Sequence, residues 1–202
     1  VLGQRLGTIL YHLIVAWPKT AEGWCQSEHE DLMVGLKVDH IGEVGSRFVL
    51  HRVGISPAAP VFSGRAAQEI QRHFEYNPRP RSKVASNFES HSSTVFVDYV
   101  LNIPERSAPF SGSYVQEHAE AALQEEVRWL RPVRNLKVGP ILDRALCGEY
   151  RVLEQICKWV LGNKATGATP HVAHITGKVR LYGRARPCIS CLGAMVQFRQ
   201  RL

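Results

Sequence analysis

Apolar positions recur along this chain with two periods, and the switches between them predict its elements. Leu6 to Trp17 is apolar except for Thr8 and His12 and reads as a buried helix ended by Pro18. Arg47 to Val53 alternates weakly and reads as a strand, whereas Gly64 to Phe74 has helical spacing, with Ala67, Ile70 and Phe74 on one face. Asn77 to Ser82 (Asn-Pro-Arg-Pro-Arg-Ser) is a basic, turn-rich connector, and Asn87 to Ser93 is a polar loop. Thr94 to Ile103 is the strongest strand, dense in β-branched and aromatic residues, and Pro104 to Gly112 breaks it. Ser113 to Leu130 reads as a helix on the recurrence of Val115, Ala119, Ala122, Val127 and Leu130, with Pro132 as its stop. Asn135 to Leu142 reads as an edge or bent strand, because Gly139-Pro140 lies inside it.

The C-terminal part has the clearest order. A helix opens at Asp143 or Arg144, carries Leu146, Tyr150, Leu153, Ile156, Cys157 and Val160 in one stripe, and closes at Gly162. Asn163 to Gly177 is loop-like and holds His171 and His174; Lys178 to Arg184 is a strand. Pro187 then starts a final helix with Leu192, Met195 and Phe198 on its inner side. In this strand, helix, strand, helix order each helix opens on a cysteine motif. The order brings the two motifs to one end of a sheet, where helix dipoles help to hold thiolates ionised.

At 202 residues, 45% of them apolar and 21% charged, the chain has the makings of one large or two small packed domains and not of a disordered segment. It shows no internal repeat and no low-complexity tract. Leu6 to Trp17 is too short to span a bilayer, which takes ~20 residues, and its flank does not resemble a signal peptide. A start at Val1 instead of Met is expected of a piece of a longer chain or a processed product. Five cysteines, an odd number unevenly spaced, do not form a disulfide framework; reduced thiols serving a metal fit them better. The net charge of +7 is lopsided: residues 1 to 150 carry −1, whereas residues 151 to 202 hold 9 Lys/Arg against Glu154 alone, +8. An anionic nucleic-acid backbone suits such a segment, and a solvated basic face explains it as well.

Two motifs carry chemistry: Cys147-Gly148-Glu149 and Pro187-Cys188-Ile189-Ser190-Cys191. A zinc ion on three protein ligands keeps an open position for chemistry, whereas four protein ligands make a structural site. Cys147, Cys188 and Cys191 supply three thiolates. Glu149, two residues from the nearest of them, is placed to move protons without entering the coordination shell. The alternatives are a structural zinc knot with His171 or His174 as fourth ligand, and a thioredoxin-like redox pair that leaves Cys147-Gly148-Glu149 without a purpose. His118-Ala119-Glu120 is a second His-x-Glu match, but it lies 70 residues before Cys188 inside an expected helix and reads as a chance occurrence on a solvated face. Tyr182, Arg184 and Arg186 flank the Pro-Cys turn; they are candidates for stacking a base or holding phosphates, or simply a strand end with surface arginines. Trp159 reads as packing and Cys157 as core; Cys25 and Trp24 are isolated and have no assigned role.

The run from Lys178 to Arg201, Lys-Val-Arg-Leu-Tyr-Gly-Arg-Ala-Arg-Pro-Cys-Ile-Ser-Cys-Leu-Gly-Ala-Met-Val-Gln-Phe-Arg-Gln-Arg, resembles the strand and zinc helix of the cytidine deaminase-like superfamily. It is most similar to the bacterial toxin-type nucleic-acid deaminases, and Cys147 to Glu154 resembles their first zinc helix. The similarity spans residues 133 to 202, or from 94 if Thr94 to Ile103 is the first strand of the sheet. It implies an α/β fold with a mixed β-sheet flanked by helices and a deaminase-like core in the C-terminal half. The corresponding division is an N-terminal region at 1–90 and a catalytic domain at 91–202. It implies Zn2+ on Cys147, Cys188 and Cys191, with Glu149 as proton shuttle. The implied reaction is hydrolytic deamination of a base in nucleic acid, cytosine to uracil in DNA before RNA. Free nucleosides or nucleotides as substrates, and a non-catalytic zinc-stabilised nucleic-acid-binding module, are the alternatives. Such domains sit at the C-terminus of secreted polypeptides and act in a target-cell cytoplasm, with an immunity protein as a further partner and no membrane; a simply cytoplasmic protein is the other expectation.

Overall fold

The computed structural model describes residues 4–5, 7–12, 14, 38–56, 58, 60–75, 94–116, 129–130, 145, 147–162, 174–183 and 187–202. Residues 7–12 and 14 are helical, as the apolar run predicts. A 3-10 turn, Val38–Ile41, leads into α1 (Gly42–Arg52). That helix replaces the strand expected at Arg47 to Val53. Its buried positions Ser46, Val49 and Leu50, continued by Val53, follow a three-and-four spacing that only a helix brings to one side. α2 (Gly64–Ile70) follows and widens at Gln71–Glu75 into a π-helical turn that carries Phe74 inward.

The sheet is built from β1 (Val95–Asn102), β2 (Phe110–Gln116) and β3 (Thr176–Gly183) in the order β2-β1-β3. Both pairings are antiparallel, Val97 standing opposite Tyr114 on one side and Leu181 on the other, so the mixed sheet expected from the sequence is antiparallel among the described residues. β2 also corrects the helix expected from Ser113: pairing with β1 overrides the local periodicity as far as Gln116. The rest of that expected helix lies outside the described residues apart from Trp129 and Leu130, as do the expected connector at 77–82, the loop at 87–93 and the strand at 135–142. β2 and β3 run in the same direction, and α3 (Gly148–Leu161) lies in the connection that steps over β1 between them. α3 begins later than expected, with Cys147 as N-cap, and ends where expected, at Gly162 with φ +90°. α4 (Ile189–Arg201) closes the described chain.

Strand alternation gives the sheet two different faces. Val95, Val97, Tyr99 and Leu101 pack with Tyr150, Leu153, Ile156 and Cys157 of α3 and with Cys191, Ala194 and Phe198 of α4. Phe96, on the other face, packs with Ile70 and Phe74. α4 also has two buried sides, since Ile189, Leu192 and Val196 join Leu10, Ile14, Val38, Val49, Leu50 and Val53. The N-terminal region thus contributes to the same packed body as the cysteine helices. Arg199 of α4 adds a polar tie, donating to the Val53 carbonyl just beyond α1. No helix among the described residues is long and apolar enough to cross a membrane.

Candidate metal centre

Each cysteine motif sits where an extended backbone turns into a helix. Cys147 caps α3 with φ −60° and ψ 134°, and Cys188 caps α4 with φ −73° and ψ 166°. In the second motif the Cys191 amide donates to Cys188 Sγ at 3.4 Å, the close turn that a two-residue spacer allows. The 40 residues between Cys147 and Cys188 return the chain to its starting end through α3 and β3. The three Sγ atoms lie within 4.8 Å of one another, at the positive ends of two helix dipoles.

Glu149, in the first turn of α3, completes the cluster. The Cys188 thiol donates to Cys191 Sγ at 3.4 Å, and the Cys191 thiol donates to Glu149 Oε2 at 3.6 Å. Cys191 is 1% exposed and Glu149 7%. Hydrogen bonding with Cys188 and burial push the Cys147 thiol up, and hydrogen bonding with Cys147 does the same to Cys191. Burial, and the like charge that neighbouring thiolates would carry, add to both shifts. A dication reverses that balance and draws the protons off.

The donor set and its spacing fit zinc. Thiolate sulfur is a preferred zinc ligand, and tetrahedral bonds of ~2.3 Å set ligand atoms ~3.8 Å apart, near the Cys188–Cys191 separation. Cys147, Cys188 and Cys191 are accordingly able to hold a metal ion.

Of the other residues singled out in the sequence, the described ones lie away from the cluster. Tyr182 stands opposite Phe96 on the sheet face turned away from α3, where its ring meets Phe74 edge-on at 5.2 Å and Phe62 at 6.1 Å. Its ring is engaged in packing. Arg184, Arg186, His118, Glu120, His171 and Cys25 lie outside the described residues, and His174 is exposed just before β3. Cys157 is fully buried in the core, as its place on the apolar stripe implies. Several cations of the basic segment serve the fold: Arg180 pairs with Asp98 through Nε at 2.7 Å, Arg199 ties α4 to Val53, and Arg201 lies over the Trp129 ring.

Sequence reasoning missed one polar device. Glu154, buried on α3, accepts the backbone N–H groups of Trp129 and Leu130, each at 2.8 Å, while Tyr150 donates to the Leu130 carbonyl at 2.8 Å. The indole of Trp129 donates to the Gly162 carbonyl, so α3 is clamped at three points by one short segment. The signal in the sequence is a lone acid on an apolar helix stripe, which has to find donors inside.

Compared with protein-family models, curated proteins and solved structures, the chain matches none of them.

Proposed function

We propose that this protein is a zinc-dependent hydrolytic deaminase acting on a base in nucleic acid, most readily cytosine to uracil in DNA. One observation carries the reading: three cysteine sulfurs converge within 4.8 Å while a buried carboxylate, Glu149, touches the cluster from the same helix that supplies Cys147. Cys147, Cys188 and Cys191 would hold the ion, and the helix N-termini would support their charge. When bound on three thiolates, zinc supplies Lewis acidity and an open position at neutral pH. Glu149 would accept a proton from the attacking water, pass it to the ring nitrogen and return a proton to the departing amine. Burial suits that work, because a carboxylate shielded from water exchanges its proton with the substrate and not with solvent. The likeness to the cytidine deaminase superfamily in Pro187-Cys188-Ile189-Ser190-Cys191 adds to the reading; free nucleosides are its second substrate class.

A second reading also has an observation behind it. Glu149 stands close enough to Cys191 to serve as a fourth ligand, and the cluster is buried, which suits a closed structural site. The test is to incubate zinc-loaded protein with single- and double-stranded DNA and RNA and to sequence for C-to-T and A-to-G changes. A C-to-T signal that Glu149→Gln abolishes, with metal still retained at one per chain, supports the deaminase. If no polymer or nucleoside is altered and Glu149→Gln releases the metal, the structural site is correct.

A further inference from the structure

On α3, Arg151, Gln155 and Trp159 recur at a spacing of four and share one side of the helix. The side chain of Trp159 reaches the aromatic residues that β1 and β2 present beneath it. Its ring lies 5.6 Å from Tyr114 and 6.2 Å from Phe110 in edge-on contacts, and 6.1 Å from Tyr99 at a shallow 35°. Trp159 is nonetheless 42% exposed, where an indole held only for packing would be covered. Arg106, in the hairpin connection 103–109, stacks its guanidinium over the Phe110 ring at 4.8 Å. The result is a half-open aromatic ledge with a cation on its rim.

Among the described residues, the charges around the ledge have one dominant sign. Both acids of α3, Glu149 and Glu154, are buried and engaged with the cysteine cluster and with the Trp129–Leu130 backbone. The charged residues left on its half-buried flank are Arg151, which interacts electrostatically with Tyr114, and Lys158 beside Trp159. Glu105 is the only acid in the 103–109 connection. The apolar exposure is also small. The other exposed large apolar residues among those described, Ile9, Val44, Val61 and Val100, lie on other elements or, for Val100, on the opposite sheet face, so the patch is far short of a protein–protein interface. A single exposed indole beside cations is the arrangement on which one base of a flexible strand stacks while its phosphates are neutralised.

We infer that Trp159, with Phe110 and Arg106, forms a stacking platform for a nucleotide of single-stranded nucleic acid at a distance from the cysteine cluster. Trp159 follows Gly148 by eleven positions of α3, about 16 Å at the helical rise, so a strand whose base enters the cluster reaches the platform with a nucleotide a few steps along. The inference rests on the nucleic-acid reading of the site, but binding and chemistry are measured separately.

The experiment uses the zinc-loaded Glu149→Gln protein, in which the proposed proton shuttle is removed, and fluorescence anisotropy with labelled single-stranded DNA and RNA oligonucleotides across a salt series. Trp159→Ala should weaken binding about tenfold, whereas Trp159→Phe, which keeps a ring on the ledge, should stay within about threefold. Arg106→Ala, in an exposed turn, should weaken binding and lower the slope of log K against log salt by about one. Unchanged affinity and slope in both Trp159→Ala and Arg106→Ala overturns the platform, as does failure of every oligonucleotide to bind. Binding that depends on Trp159, when the protein with Glu149 intact alters no base, keeps the platform and removes the deaminase. Deamination of a polymer with Trp159→Ala affinity unchanged does the reverse.

Discussion

Tyr114 shows how a single side chain can be placed well for packing and poorly for its polar atom. Its ring supports Trp159, but its hydroxyl is buried without a hydrogen-bond partner among the described residues. Burial holds the phenol well above its usual pKa of 10.0, with Tyr99 adding to the shift and Arg151 opposing it. The sign of the consequence is fixed. The folded state keeps the proton where the unfolded chain has released it, so the neutral phenol's contribution is complete below about pH 10 and is lost as pH rises beyond it. Tyr114→Phe has no proton to lose and leaves no unpaired hydroxyl. Its urea midpoint should equal or exceed that of the parent near neutrality, by up to about 1 kcal/mol, and should fall less between about pH 9 and about pH 11. A steeper alkaline fall in the variant would mean that the folded state favours the phenolate, against this reading.

Among the elements, β3 depends on one glycine. Gly177 has φ +148° and faces Leu101 of β1 so closely that a β-carbon would sit 2.2 Å from the Val100 carbonyl oxygen. Gly177→Ala would force the strands apart where β3 begins, and backbone cannot swing aside as a side chain can. It should cost about 2 kcal/mol or more, read as a lower denaturation midpoint with faster amide exchange along β1 and β3. What the sequence disclosed and what it hid follow the same division between local and long-range forces. β1, β3, α3 and α4 were legible because their apolar periods agree with their tertiary partners, and the cysteines at the two helix starts were legible because spacing alone places them. β2 was hidden because the helical recurrence that begins at Val115 runs on past it and absorbed a short strand whose pairing with β1 the local pattern does not show, and α1 because its four buried positions were read as weak alternation. Tyr182 was legible as a strand-end aromatic, but strand parity sends its ring to Phe62 and Phe74, away from α3. Glu154 escaped notice because its partners are backbone amides 25 and 24 positions away.

At the scale of the molecule, α4 is the joint between two cores. One side carries Cys191 toward the sheet, and the other buries Ile189, Leu192 and Val196 against the N-terminal helices. If the cluster holds zinc, stripping it with a chelator should therefore loosen more than the cysteine turn, lowering the unfolding temperature by several degrees or more in a reversible way. A calorimetric trace that does not shift when zinc is removed and returned would show that the cluster holds no ion that matters to the fold.

The convergence of Cys147 with Cys188 and Cys191 has one more consequence, which belongs to the unfolded chain. An ion on these thiolates is a removable cross-link that closes a ring of about forty residues through α3 and β3. By the chain-entropy estimate for a cross-link of that length, holding such a ring shut denies the unfolded ensemble freedom equivalent to roughly 4 kcal/mol. Metal supply would then set how much disorder the C-terminal part of this protein is able to reach.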